Sequence, residues 1–255
     1  MDSSTYPLSR IGLLAAKSRP MRQSGTFLVL GAPTVIAIWF ISGFALTYFT
    51  TVPAEFGIYW PRHQWLLVHV IAGIVALLAG PAQLWLGINT ITGLVHRILG
   101  VLYVTAVAVS GTAAIYLAVH TDFGWAFGMG LISMTFAWWV TTALATIAIC
   151  LHRVEQHREW VIRSYVVTFG FVTFRVFEVV LDAAKLGTIV ERKAVASWLA
   201  WAIPLLLTEC VLQGRKIFAR RVTAGAFPSV NAYTAAPEPP AFDLRDSESF
   251  YQHQR

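Results

Sequence analysis

Six apolar runs, at about residues 26–50, 63–88, 95–119, 125–151, 161–184 and 195–213, leave this chain one kind of fold. Each is long enough for a helix to cross about 30 Å of hydrocarbon at 1.5 Å rise per residue. A backbone in lipid has no water to bond to, so it must satisfy its own amides, and a helix does so within one segment. The expected fold class is therefore all-α, a polytopic transmembrane bundle of about six helices. Only 13% of residues are charged and 56% are apolar, about half the charge of a soluble domain.

Where the charges fall sets the expected orientation. Arg10, Lys17, Arg19 and Arg22 precede the first run, and Arg97, Arg153, Arg158, Arg163, Arg215, Lys216, Arg220 and Arg221 mark alternate helix ends. Basic residues accumulate on the cytoplasmic side, so both termini are expected there. Arg62 and the mixed-charge stretch 185–193 are the exceptions. The net charge of +6 forms no basic face with interleaved aromatics, so the expected partner is the lipid bilayer and not nucleic acid. The first run is too long for a signal-peptide core and reads as a retained helix. The chain divides into a cytoplasmic segment 1–24, a membrane domain 25–214, and a basic then disordered tail 215–255. The expected location is a bacterial inner membrane. Cys150 and Cys210 read as free thiols.

The stretch His152–Asp182 is the most informative. Within it Ser164, Thr168, Arg175, Glu178 and Asp182 recur at helical spacing on one face. Charge inside an apolar run is costly in lipid and must face protein, water or other charge. Two further faces look inward. The second run carries His69, Gly73, Ala76, Gly80, Gln83 and Gly87; the third carries His96, Gly100, Tyr103, Val107, Ser110 and Ala114. Stripes of small residues admit another helix or a flat ligand at close range. Pro81 predicts a local kink. Thr141, Thr142 and Thr146 can bond to their own backbone. No internal repeat supports an inverted-repeat transporter.

Three pieces carry a resemblance: His69 with the following GIVALLAGP and Gln83; HRILGVLY from His96 to Tyr103; and HREWVIRSYVVTFGFVTFR from His157 to Arg175. Together they resemble the predicted-membrane-protein family DUF2306 over about residues 63–184. The matching positions are His69, Gln83, His96, Arg97, Tyr103, His157, Arg158, Arg163, Ser164, Tyr165 and Arg175. Val161 stands where the family usually has methionine. The resemblance implies a multi-helix integral membrane protein and no particular reaction.

Two constellations suggest chemistry. His96 and His157 fall near one membrane face at the starts of two helices, the arrangement that bis-histidine haem b needs. Arg97, Arg158 and Arg163 would pair its propionates, and Gly100 would leave room for the macrocycle. This is similar to one half of a cytochrome b561-type bundle. The fourth run holds no histidine to partner His69, so a two-haem relay is not expected. The bland alternative is that these histidines cap helix ends at the interface. The second constellation joins His69, Gln83, Tyr103, Arg175, Glu178 and Asp182 in an outer pocket for quinone, protons or a small solute, against the alternative of structural ion pairs. Glu209 lies within reach of the arginine cluster. No His-x-x-x-His or paired-cysteine spacing indicates a metal beyond haem iron. The leading reading is a b-type haem or quinone-linked redox protein with a redox partner. A module for binding or transport of a polar or anionic solute, and a structural or assembly subunit, are the alternatives; no enzymatic reaction is assigned.

Overall fold

The computed structural model of the protein describes residues 31–50 and 52–224. The expected N-terminal segment 1–24 and the tail beyond residue 224 lie outside the described residues. All regular structure among them is helical. Helix α1 (Gly31–Tyr48) widens into a π turn at Ile41–Ala45 and tightens to a 3-10 turn at Leu46–Tyr48. A short α2 (Pro53–Phe56) and a 3-10 segment (Gly57–Arg62) lead into α3 (His63–Ile88). Then come α4 (Leu94–Val119), α5 (Trp125–Cys150), α6 (Val154–Thr168), α7 (Gly170–Ala183) and α8 (Ile189–Ala224). One compact unit extends to Val211, and Leu212 begins a second.

Five segments are long and apolar enough to cross a bilayer: α1, Gly57–Ile88, α4, α5 and Ile189–Phe218. The single helix expected over 161–184 is instead two, α6 and α7, which meet at Phe169. Together they run antiparallel beside α8. Arg163 on α6 pairs with Glu209, and Glu178 on α7 pairs with Lys193, so the order of contacts along one element reverses along the other. Helices α3 to α6 form the centre, with α3 on α4, α4 on α5, α5 on α6 and α3 on α6. Their common core holds Ala76, Ala79, Tyr103, Val107, Met134, Trp138 and Tyr165. Outward faces carry exposed Val, Ile, Leu and Trp, as surfaces facing hydrocarbon do.

The small-residue stripe of α3 is shaped for particular neighbours. A Cβ on Gly80 would lie 2.2 Å from the Tyr165 ring, so only glycine lets that ring approach. Pro81 follows. Having no N–H, it frees the carbonyl four residues back, that of Leu77. The Tyr165 hydroxyl donates to that carbonyl at 3.3 Å. The same device recurs in α8. Pro204 frees the Ala200 carbonyl, which accepts from Thr173 Oγ1 at 2.6 Å. Both orphaned carbonyls are thus capped by hydroxyls from the stretch flanking the α6–α7 break. An unpaired carbonyl inside a membrane helix costs free energy, and hydroxyls of neighbouring helices are a usual remedy.

Candidate functional site

Polar side chains inside the bundle gather in three places. The first is a knot of hydroxyls at its centre. Tyr103 Oη lies 2.8 Å from Ser164 Oγ and 2.7 Å from Thr168 Oγ1. Ser164 Oγ also meets Thr142 Oγ1 at 2.7 Å, and Trp138 Nε1 donates to Thr168 Oγ1 at 2.8 Å. All five residues are buried. Thr168 Oγ1 also donates to the Ser164 carbonyl, and Thr142 Oγ1 to the Trp138 carbonyl. Those carbonyls and the indole N–H, a pure donor, close off both ends of the knot. It joins α4, α5 and α6 as a saturated network.

The second place is the end formed by residues 52–62, 120–124 and 184–188. The buried Glu178 carboxylate there takes Arg175 at 2.6 Å through Oε2 and Lys193 through Oε1. Lys193 also stands 4.6 Å over the Phe123 ring. Asp182 pairs with Arg192 at 2.6 Å, and Arg62 grips Asp122 with two bonds of 3.0 and 3.2 Å. The hydrogen bonds from Arg62 hold the exposed Asp122 carboxyl below its ordinary value of 3.8. His69 sits deeper. Its Nδ1 meets the Ser110 carbonyl at 3.0 Å, Ser110 Oγ donates back to the His69 carbonyl, and Phe171 approaches the ring edge-on at 5.0 Å.

The third place is the opposite, basic end, at the turns 89–93 and 151–153. Gln83 Nε2 on α3 donates to the His96 carbonyl on α4 at 2.6 Å. Gln83 Oε1 and His96 Nδ1 are both buried and have no hydrogen-bond partner; among the described residues only Trp201 Nε1 shares that state. Buried polar atoms are nearly always paired, so exceptions call for an explanation. His157, in the first turn of α6, lies at the same end of the bundle as His96, in the first turn of α4. Its Nδ1–H donates to the Ala145 carbonyl at 2.8 Å, which leaves Nε2 with its lone pair. Arg163 is buried and held by Glu209 at 2.7 Å, with Glu159 at 3.5 Å and its guanidinium over the Trp160 ring at 4.6 Å. Arg97 and Arg158 are exposed.

This arrangement redistributes the residues singled out in the sequence. The expected outer pocket is divided three ways. Arg175, Glu178 and Asp182 form ion pairs at one end, Tyr103 belongs to the central knot, and Gln83 lies at the basic end beside His96. The reason is helix direction. Gln83 and His69 share a stripe but stand fourteen residues apart, about 21 Å along α3. His96 and His157 lie at the same end of the bundle, and a ligating histidine commonly gives its other N–H to a carbonyl, as His157 does. The slot does not fit a macrocycle as it stands. A Cβ on Gly100 would lie 2.8 Å from Gln83 Nε2, so the amide fills the space beside that glycine, and Arg163 is committed to Glu209. The sequence did not reveal Lys193 and Arg192 as partners for the α7 carboxylates, nor the capping by Tyr165 and Thr173. Proline four residues beyond a carbonyl was the available signal for the second.

The fold and these sites define a multi-pass integral membrane protein with a polar interior. The chain belongs to DUF2306, a family described as a predicted membrane protein, whose model matches residues 66–212. That span holds all three polar groups except Arg62. No curated protein and no solved structure matches the chain.

Proposed function

We propose that this protein binds the headgroup of a lipid-soluble carrier of quinone type at its basic end, between Gln83, His96 and His157. The supporting observation is the pair of buried, unpartnered atoms, Gln83 Oε1 and His96 Nδ1. Their neighbours suit a ligand that arrives from the bilayer. Ile91, Leu94, Val95 and Ile98 are exposed and apolar around the start of α4, a surface along which an isoprenoid tail packs. The two unpartnered atoms belong to an amide and an imidazole, which suits a polar headgroup without formal charge. A few convergent polar groups in an apolar surround are the usual form of a small-molecule site.

The test is thermal unfolding of the protein in mild detergent with a short-chain quinone analogue and its reduced form. Stabilisation by either, lost in His96→Phe and retained in Arg175→Ala, supports the reading; stabilisation by neither removes it. The haem b reading is favoured by the orientation of His157 alone and requires Gln83 to leave the space beside Gly100. A reduced-minus-oxidised spectrum without a Soret or α-band, from cells supplied with haem, excludes it. The solute-binding alternative finds its support in Glu178, where two cations face one carboxylate. It requires Arg175→Ala, and not His96→Phe, to abolish ligand-dependent stabilisation.

A further inference from the structure

The hydrogen-bonding polarity of the basic-end site defines its ligand more narrowly, and the argument rests on the binding role just proposed. The amide orientation of Gln83 is settled by chemistry. The atom 2.6 Å from the His96 carbonyl must be the NH2 group, because a carbonyl only accepts, and an amide oxygen there would face another oxygen. The remaining amide atom, Oε1, is therefore an acceptor, buried and without a donor from the protein. His96 Nδ1 is also buried and unpartnered and, as the N–H tautomer, is a donor.

From these two atoms we infer that the site selects the reduced, hydroxyl-bearing headgroup over its carbonyl form. A quinone oxygen is acceptor only. It can take the His96 N–H, yet it leaves Gln83 Oε1 unpaired and turns lone pairs toward it. A quinol hydroxyl is donor and acceptor at once. It gives its proton to Gln83 Oε1, which a quinone oxygen cannot do, and keeps lone pairs able to accept from His96 Nδ1–H. Leaving a buried acceptor unpaired is the costly side of hydrogen-bond exchange, and the expected discrimination is about tenfold or more. Tenfold preference for the reduced form raises the midpoint potential of a bound two-electron couple by about 30 mV.

The experiment measures binding to the full chain in mild detergent, with three ring-matched probes. These are trimethylhydroquinone kept reduced with ascorbate, trimethylbenzoquinone, and the dimethyl ether of the hydroquinone, which keeps its shape but has no donor. The expected result is binding of the hydroquinone about tenfold tighter than either other probe, with the difference falling to about twofold in Gln83→Met. Quinone binding as tight as hydroquinone binding overturns the selectivity while leaving the binding role intact. Ether binding as tight as hydroquinone binding overturns it too, because the donor is then irrelevant. No binding of any probe overturns the binding role and the selectivity together. Full selectivity retained in folded Gln83→Met overturns the assignment to Gln83. Should that variant not fold, the ether against the hydroquinone in the unaltered protein decides the question.

Discussion

The centre of the bundle and its basic end both hold polar side chains on α4 and α6 and treat their polar atoms in opposite ways. At the centre, Tyr103, Ser164, Thr168, Thr142 and Trp138 satisfy one another inside a buried network. At the basic end, Gln83 and His96 touch through one hydrogen bond, and each still carries a buried atom without a partner. A saturated network stiffens what it joins and has little left to offer a ligand. An unsaturated pair contributes less to the fold and keeps its capacity for something that arrives later. On the proposed reading, the contrast separates residues that hold helices from residues that recognise a ligand, although both classes lie in the family's motifs.

That contrast can be broken by experiment. The largest stability effect is expected from Glu178→Ala at the ion-paired end, which strands Arg175 and Lys193. Removing one partner of a buried charge cluster costs about 3 kcal/mol, read as earlier unfolding in mixed detergent. Gly80→Ala follows, at about 2 kcal/mol, because the added methyl meets a Tyr165 ring already tied to Leu77. Tyr103→Phe removes the hub of the knot and costs about 1–2 kcal/mol, with ligand binding unchanged. Gln83→Met loses under about 1 kcal/mol, the worth of one ordinary hydrogen bond, yet cuts the preference for the hydroquinone probe to about twofold. A Tyr103→Phe protein that lost the hydroquinone preference while Gln83→Met kept it in full would invert the comparison.

The smallest effect concerns pH. Asp122 titrates below its ordinary 3.8 because Arg62 donates to it in the folded state. Its contribution is therefore present above the unfolded value and is lost as pH falls through the folded one. The residue is solvent-exposed, so the effect on stability is small. Asp122→Asn should unfold slightly earlier than the unaltered protein at neutral pH, and the difference should vanish on acidification. A difference that persisted in acid would mean that Arg62 acts otherwise than through this pair.

Much of the architecture was legible because lipid leaves few choices. Apolar runs long enough to span, with charge gathered between them, located α1, α3, α4, α5 and α8. Ser164 and Thr168 were rightly expected to face inward together, and Glu209 was rightly expected to meet the arginine cluster. The break at Phe169 was not legible, since the periodicity of 164, 168, 175, 178 and 182 continues across it. Membership of the outer pocket was misjudged for Gln83 and Tyr103 for a different reason. A stripe records direction around a helix and not depth along it. Arg62, an exception to charge placement in the sequence, has its partner in Asp122, sixty residues away. Which helix faces which is a long-range property, and one sequence carries little of it.

The two proline-freed carbonyls bear on how the chain is assembled at the ribosome. Ala200 is made after its donor, 27 residues downstream of Thr173, so α8 finds its cap already in place. Leu77 precedes Tyr165 by 88 residues. At translation speeds of about 5–20 residues per second, α3 waits roughly 4–18 s for its cap. During that interval the freed Leu77 carbonyl must borrow water or translocon groups, and α3 stays provisional until α6 enters. Truncated nascent chains ending before Tyr165 would therefore hold α3 loosely, and those that include it would lock.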